Sequence, residues 1–178
     1  MKHNINLPIT AKEFEALNLG DVVYLNGTLI TARDQAHKKI IELNETGNLP
    51  SIFDTLKHSA IFHCGPLIEE QGNSYKIISA GPTTSQRMDP LEDKVIDILQ
   101  VKFIIGKGGM RNLATEDYRV AYLSFPGGCG AIVNQKVKEI ANVELKDLGM
   151  CEAVWFLEVQ EFGPLVVSQF NGKSLYEK

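Results

Sequence analysis

Residues 79–90, SAGPTTSQRMDP, place a Gly-Pro pair, three consecutive hydroxyl side chains and an arginine in one short stretch. Thr83 is the first of these hydroxyl residues, and Arg87 follows four positions later. Nearby cations and helix N-terminal N–H groups can activate a hydroxyl, and a guanidinium can bind a carboxylate with two parallel hydrogen bonds. The stretch also suits a plain polar turn in which Thr83, Thr84 or Ser85 caps the helix that follows.

Three further basic side chains could share a site with this stretch. Arg33 and His37 lie four residues apart in TARDQAHKKI, on one face of a predicted helix, and Lys107 lies in IGKGGM. Arg33, Arg87 and Lys107 together would suit a substrate with two carboxylates. A solvated helix face for Arg33 and His37, and an ordinary turn for Lys107, are the alternatives. A nucleotide site is not indicated, because GKGG departs from the P-loop pattern and no GxGxxG opens a helix.

The composition is that of an ordinary globular domain. The chain has 178 residues, 44% hydrophobic and 22% charged, and this length predicts one domain over residues 1–178. Its net charge of -4 gives no reason to expect nucleic acid or an anionic membrane as a partner. Any basic site must therefore be local.

The cysteines and the hydropathy pattern predict a cytoplasmic protein. No apolar run approaches the length of a membrane span, and MKHNINLPIT lacks the apolar centre of a signal peptide. Cys64, Cys129 and Cys151 are odd in number and widely spaced, which argues against a disulfide framework. No CxxC or CxH pair is present, so we expect no metal site built from this chain alone.

Apolar runs that end in glycine loops alternate with helical patterns at least three times, which predicts an α/β domain with a largely parallel sheet. Thr10 and Glu13 form the capping box of a first helix. DVVYLNGTLI predicts a strand or a hairpin turning at Asn26-Gly27. TARDQAHKKIIELNETG predicts a helix capped by Thr31. Further strands are predicted in SAIFHCG, SYKIISAG, VKFIIGKGG and VAYLSFPGGCG, further helices in PLEDKVIDILQ, MRNLATEDY and AIVNQKVKEIA, and two strands around Gly163-Pro164 in the tail.

The loops after the predicted strands are the expected place for chemistry. In α/β sheets, ligands bind in the crevice at the carboxyl ends of the strands. The loops that qualify here are residues 31–37, 64–66, 81–87, 106–109 and 126–130.

Four motifs, in this order, resemble one known family. NGTLITARDQAHKKI, IFHCGPL, SAGPTTSQRMD and IGKGGM together are similar to the C-terminal domain of the class I iron–sulfur fumarases. In two-subunit members this domain is a separate chain, the β subunit of fumarate hydratase or of L(+)-tartrate dehydratase. The resemblance spans roughly residues 20–130, and more weakly the rest.

The resemblance implies a swivelling β/β/α fold with flanking helices and extra strands, and a hydro-lyase that reversibly adds water to a dicarboxylate double bond. It implies a [4Fe–4S] cluster ligated by three cysteines of the partner α subunit, so that this chain is active only in a hetero-oligomer. An open iron site of such a cluster acts as a Lewis acid. Cys64 is expected to be structural, because the family places the cluster ligands elsewhere.

The resemblance also implies roles for individual residues. Thr83 matches the threonine proposed to exchange the proton next to a substrate carboxylate. Arg33, Arg87 and Lys107 match the residues that bind the substrate carboxylates. His37, together with Gly81, is expected to support these residues rather than to react.

Three functions remain open from the sequence. The first is the β subunit of an iron–sulfur hydro-lyase, with fumarate and L-malate as the expected pair and L(+)-tartrate as the alternative. The second is a non-catalytic module that binds small dianions with the same cations. The third is a structural α/β protein that ignores dicarboxylates.

Overall fold

The computed structural model describes residues 1–72, 74–128 and 130–176. In this part of the chain no helix is long and apolar enough to cross a membrane. The strands are β1 (Lys2–Asn6), β2 (Val22–Thr31), β3 (Ala60–Phe62), β4 (Leu67–Gln71), β5 (Ser74–Ser79), β6 (Phe103–Gly106), β7 (Ala121–Ser124), β8 (Val137–Glu144), β9 (Val154–Phe170) and β10 (Lys173–Ser174). The helices are α1 (Ala11–Glu15), α2 (Asp34–Glu45), α3 (Glu92–Leu99) and α4 (Gly130–Val133).

The main sheet is mixed. Strands β1, β2, β3, β6 and β7 lie in this order and each pairs with the next in parallel. The long strand β9 runs antiparallel to both β2 and β7, so the hydrogen-bonded path from β2 through β3, β6 and β7 returns to β2. Strand β8 also pairs antiparallel with β9, over a stretch whose residues 156–159 pair with β2 as well. Strands β4 and β5 form a separate hairpin. The prediction of an α/β fold is confirmed, while the sheet is less purely parallel than expected.

Two predicted turns lie inside continuous strands. Asn26 and Gly27 do not turn the chain, because β2 continues through them with register shifts against β9. The side-chain oxygen of Asn26 accepts a hydrogen bond from the Glu161 backbone N–H, with 2.9 Å between the N and O atoms. Gly163 and Pro164 likewise lie within β9 at a register irregularity, where a proline does not interrupt the ladder. The predicted hairpin in β2 and the predicted two-stranded tail are therefore wrong.

The helix predictions are confirmed in part. The capping box of Thr10 and Glu13 opens α1 as expected. Helix α2 begins at Asp34, and Thr31 is the last residue of β2, so Thr31 does not cap it. The Thr31 hydroxyl instead accepts the Trp155 backbone N–H.

Two segments predicted as helices take other structures. In MRNLATEDY, the backbone N–H and carbonyl of Met110 bond the side chain of Gln169 on β9, and only a short 3₁₀ turn (Glu116–Tyr118) forms. In AIVNQKVKEIA, only α4 is helical, and the alternating residues of β8 pair with β9 instead. Both segments are held by the long strand rather than by local i to i+4 hydrogen bonds.

Side chains alternate between two hydrophobic clusters on the faces of the sheet. On β3, Phe62 packs on the inner face that β9 encloses, while Ile61 packs on the outer face. The outer face is covered by buried side chains of α2 and α3, including Ile40 and Val95. Because of this alternation, the side chain of His63, which follows Phe62, points towards the helices.

Candidate functional site

The loop that holds Thr83 adds a strand-like segment between the ends of β3 and β6. The Thr83 backbone N–H donates to the carbonyl of His63, with 2.7 Å between N and O. The carbonyl of Thr83 accepts the N–H of Lys107 at 3.3 Å, and the N–H of Ser85 donates to the carbonyl of Lys107 at 3.1 Å. Thr83 therefore has a backbone fixed on both sides at the carboxyl ends of two parallel strands.

The Thr83 side chain is available to a ligand. Thr83 is half-buried, and among the described residues its hydroxyl has no hydrogen-bond partner. Lys107, its backbone neighbour, is exposed and forms no ion pair within the described ranges. The sequence prediction that Thr83 and Lys107 lie at one rim is consistent with this arrangement.

Arg33 lies at the same edge, just after β2. Its Nε atom is 3.4 Å from Oε1 of Glu152, and its side chain is 22% exposed. A Cβ on Gly65 would come within 2.6 Å of Nη1 of Arg33, so the glycine after β3 leaves the space that the guanidinium fills. Gly65 follows Cys64, whose backbone forms an isolated antiparallel β-bridge with Pro82, the residue before Thr83.

Arg87 reaches towards α2. Its Nη2 atom lies 2.6 Å from Oδ2 of Asp34, and its side chain is 48% exposed. Asp34 follows Arg33 directly, so the ion pair ties the Thr83 loop to the start of α2. The four predicted side chains thus share one edge of the sheet, although no hydrogen bond joins any two of them in the described part of the chain. Gly81 lies at this edge as well, with Gly130 close against its backbone.

His37 points into the protein. It is fully buried, which excludes the solvated helix face for this residue. Its Nδ1 atom lies 2.7 Å from the carbonyl oxygen of Arg33, and its Nε2 atom lies 3.0 Å from Oε2 of Glu92. Glu92 is the first residue of α3 and is 1% exposed.

His63, Glu92 and Tyr122 were not assigned to the site from the sequence. These three residues form a buried polar cluster with His37 and Ser85. Nε2 of His63 lies 2.8 Å from Oε2 of Glu92, and Nδ1 of His63 lies 2.8 Å from the Ser85 hydroxyl. The Tyr122 hydroxyl donates to Ser85 at 2.8 Å. No local signal marks Glu92, because acidic residues in the first turn of a helix are usually exposed. A histidine directly after an apolar strand, as in IFHCG, was the one usable sign.

Within the cluster, Glu92 and His37 each favour the charged form of the other. Burial works against ionisation of Glu92, but the two histidines outweigh it and hold the pKa of this carboxyl far below its ordinary value. Burial alone would lower the pKa of His37, but the charge and hydrogen bond of Glu92 outweigh it and raise that pKa. Both shifts favour an imidazolium beside a carboxylate.

The capping prediction for the loop is wrong. Ser85 uses its buried hydroxyl for His63 and Tyr122, and Thr84 makes no side-chain capping bond. The short 3₁₀ helix Ser85–Met88 separates Thr83 from α3. Thr83 therefore does not lie at the N-terminus of α3, and the cations are left as the main source of positive potential near its hydroxyl.

The two described cysteines do not fit a cluster site. Cys64 is buried in the hydrophobic interior, and burial raises the pKa of its thiol above the ordinary value, which disfavours the thiolate that binds iron. Cys151 is exposed, and Cys129 lies outside the described residues. The described residues thus offer no set of three cysteines for an iron–sulfur cluster.

Comparison with known proteins assigns the chain to a family. The sequence model described as Fumarase C-terminus matches residues 1–178. The chain belongs to the fumarase C-terminus family. Within this family it is similar to "L(+)-tartrate dehydratase subunit beta" of Escherichia coli (strain K12), with 41% identity over 171 residues that cover 94% of this chain and 83% of the relative.

Two other relatives match this chain over nearly its whole length. "Putative L(+)-tartrate dehydratase subunit beta" of Methanocaldococcus jannaschii is 47% identical over 184 residues, covering 100% of this chain and 92% of the relative. "Putative fumarate hydratase class I" of Geobacillus stearothermophilus is 30% identical over 177 residues, covering 97% of this chain but 33% of the relative. The same domain thus matches separate β subunits and part of a longer chain.

Proposed function

We propose that this chain is the β subunit of an iron–sulfur hydro-lyase that adds water to, or removes it from, a four-carbon dicarboxylate. In this proposal residues 1–178 form one swivelling β/β/α domain, and a partner α subunit holds a [4Fe–4S] cluster. The observation that carries the proposal is the backbone pairing of Thr83 with His63 and Lys107. This pairing places the Thr83 hydroxyl, which has no hydrogen-bond partner among the described residues, beside an exposed cation. The names of the family relatives support the reaction class.

The cations would bind and orient the substrate. Arg87 is oriented by its hydrogen bond to Asp34, so its guanidinium would lose less freedom when a carboxylate binds. Arg33 has a looser ion pair with Glu152, and its Nε has no hydrogen-bond partner among the described residues. Lys107 has no such partner among the described residues and would neutralise substrate charge directly. Fixing a carboxylate in this way aligns the neighbouring carbon with the Thr83 hydroxyl, and such alignment accounts for much of enzymatic rate enhancement.

Thr83 would exchange the proton on the carbon next to a substrate carboxylate. A free threonine hydroxyl is too weak a base at neutral pH, so its pKa must be lowered by surrounding positive charge in a site that excludes water. Lys107 and Arg87 would supply this charge and would also stabilise the negative charge that develops when the C–H bond breaks. The partner's cluster would supply Lewis-acid chemistry at the hydroxyl that leaves.

The open rim fits a site completed by another chain. Arg87 and Lys107 are both exposed, although they are the residues proposed to bind charged groups. Electrostatic stabilisation is strong only where water is excluded. A partner surface that covers this rim would supply the exclusion.

Two substrates are candidates. Fumarate, with L-malate, is the pair expected from the resemblance. L(+)-tartrate is supported by the names of the E. coli and M. jannaschii relatives, which match this chain over most of their own length. The two substrates differ by hydroxyl groups, and a site discriminates a hydroxyl through the hydrogen bonds it offers.

Anaerobic co-expression with candidate α subunits tests the proposed function. The expected result is a co-purifying complex that converts L(+)-tartrate or fumarate, while the isolated chain converts neither. Calorimetry of the isolated chain with tartrate, malate and fumarate gives the contrast. Tight dicarboxylate binding without a partner, and no turnover in any complex, would instead support the non-catalytic module.

A further inference from the structure

A continuous series of buried polar groups runs beneath the candidate site. It begins at the carbonyl of Arg33, passes through His37, Glu92 and His63, and ends at Ser85 and Tyr122. The side chains of His37 and His63 are 0% exposed, and that of Glu92 is 1% exposed. Charged groups are rarely buried so deeply without a specific pairing, and here the pairing links two helices to the ends of the sheet.

The two acceptors next to His37 indicate where its ring carries protons. The carbonyl of Arg33 can only accept, so Nδ1 of His37 must carry a proton. An ionised Glu92 also only accepts, so Nε2 of His37 must carry a second proton. With Glu92 ionised, His37 is therefore an imidazolium. The Ser85 hydroxyl receives the Tyr122 proton and lies 2.8 Å from Nδ1 of His63, while Nε2 of His63 lies 2.8 Å from Oε2 of Glu92 without hydrogen-bond geometry.

Both ends of the series lie on backbone that positions proposed reactive side chains. At one end, His37 bonds the carbonyl of Arg33, at the residue just before α2. At the other end, the carbonyl of His63 receives the N–H of Thr83, while the side chain of His63 bonds Ser85. Arg33 and His63, which carry the two anchoring carbonyls, follow the carboxyl ends of β2 and β3, and these two strands pair directly.

We propose that His37, Glu92, His63 and Ser85 form a buried positioning unit that holds the backbone of Thr83 and Arg33 in register for the reaction. The proposal rests on the proposed function for the roles of Thr83 and Arg33, but the positioning itself is a property of this chain alone. None of the four side chains is available to a substrate, because all are buried. They act through the backbone atoms that they fix.

The unit predicts a division of effects between its two ends. Ser85 and His63 hold the segment of the proton-exchanging Thr83, so loosening them should lower kcat. His37 holds the segment of the carboxylate-binding Arg33, so loosening it should raise KM. Loss of folded enzyme lowers the apparent kcat and leaves KM unchanged, so kcat must be taken per mole of folded complex. The rise in KM expected at His37 is the readout that a role in stability alone would not produce.

The first test uses NMR on the isolated chain. The ¹⁵N shifts of His37 should be those of an imidazolium at neutral pH, and Ser85→Ala should speed amide hydrogen exchange of Thr83 by about tenfold or more. Ser59→Ala is the matched control, since Ser59 is a buried serine just before the amino end of β3 whose hydroxyl bonds the Thr28 carbonyl. It should leave exchange at Thr83 unchanged. A neutral His37, or unchanged Thr83 exchange in Ser85→Ala, would overturn the proposal.

The main alternative is that His37, His63 and Glu92 bind a metal ion, and a measurement of bound Zn²⁺ tests it. His37, His63 and Glu92 each offer a ligand atom within 4.8 Å of the others. The positioning unit predicts no stoichiometric Zn²⁺ in the purified chain and no shift of its melting temperature with added Zn²⁺ or a chelator. One equivalent of tightly held Zn²⁺ would overturn the proposal, because a metal ligand must be a neutral imidazole.

The second test uses the reconstituted complex. Ser85→Ala should lower kcat by about 100-fold with KM changed less than about threefold, as expected for a misplaced reacting group. His37→Asn should raise KM more than it lowers kcat. Equal effects on both constants would contradict positioning, while the NMR result still stands if no complex turns over any dicarboxylate. Failure of the proposed function is thereby separated from failure of the unit.

Discussion

The backbone N–H of Thr83 donates a hydrogen bond to the carbonyl of His63, and the two atoms lie 2.7 Å apart. This one contact joins the candidate reactive loop to the buried cluster, because the side chain of the same His63 approaches Glu92. A hydroxyl that must meet a substrate carbon within a fraction of an ångström needs a backbone that does not drift. The position of Thr83 is thus set by groups that never meet the substrate.

Gly106→Ala should disturb the cluster by steric contact. A Cβ on Gly106 would lie 2.0 Å from the Ser85 hydroxyl and 3.0 Å from the Tyr122 hydroxyl, so one or both must move. Overpacking of this kind costs about 1–3 kcal/mol of unfolding free energy, and thermal unfolding should report it as a lower Tm. Gly127→Ala, where no atom lies within 4 Å, is the control and should leave Tm almost unchanged. An unaltered Tm in Gly106→Ala would show that the cluster has room to spare.

The pH dependence of stability should depend on Glu92. Its pKa is lowered, so its stabilisation is present above about pH 4.3, the ordinary glutamate value, and is lost as the pH falls through the folded pKa. The pKa of His37 is raised by Glu92 and Asp34, so its stabilisation is present below about pH 6.5 and is lost as the pH rises through the folded pKa. Unfolding free energy should therefore be highest between these limits.

Glu92→Gln should remove most of this pH dependence and cost about 3–5 kcal/mol, because a buried charge loses its partner. Denaturant titrations at a series of pH values measure both effects. Glu42→Gln is the control, since Glu42 pairs with Lys39 at the surface and should contribute at most about 1 kcal/mol. Identical pH profiles for wild type and Glu92→Gln would contradict the ionised pair.

Lys107→Ala should weaken substrate binding in the active complex. Losing a charged hydrogen bond to a carboxylate costs about 1.5–3 kcal/mol, which is a rise in KM of about 10-fold or more. Lys57→Ala is the matched control, because Lys57 is exposed near the amino end of β3, away from the proposed rim. Steady-state kinetics would contradict the assignment if both variants kept the wild-type KM.

Asp34→Asn separates orientation from stability. The ion pair with Arg87 is half-exposed, so its loss should change unfolding free energy by no more than about 1 kcal/mol. The variant should nevertheless raise KM, because Arg87 loses the contact that orients it. A large fall in Tm with an unchanged KM would show that the pair serves the fold rather than the site.

The elements that position the site were predictable because their signals are local. Apolar runs such as residues 103–106 end at the sheet edge, and the loops after β2 and β6 hold Arg33 and Lys107 as expected. Thr83 follows β5, which was expected in the main sheet but pairs with β4 in a separate hairpin; backbone hydrogen bonds to His63 and Lys107 bring Thr83 to the main sheet. The long strand β9 was not predictable from local signals, since Gly163-Pro164 usually marks a turn. Its continuity depends on pairing with β2, which is distant in sequence.

The buried cluster could not be predicted from local sequence signals either, because its members are distant in sequence. His37, His63 and Glu92 come from three separate segments, and each has an ordinary local explanation. Ser85 was expected to cap a helix, and only its contacts with His63 and Tyr122 show otherwise. The roles of Thr83, Arg33, Arg87 and Lys107, and the cytoplasmic location, stay predictions.

The most direct test of the account is the turnover of the anaerobically reconstituted αβ complex with Thr83→Ala. The complex should assemble normally and lose at least about 100-fold in kcat, the usual contribution of one acid–base group, whereas Thr83→Ser should retain part of the activity. Thr84→Ala is the adjacent control and should turn over at nearly the wild-type rate. Full dicarboxylate turnover by Thr83→Ala would contradict the proposed role of this chain.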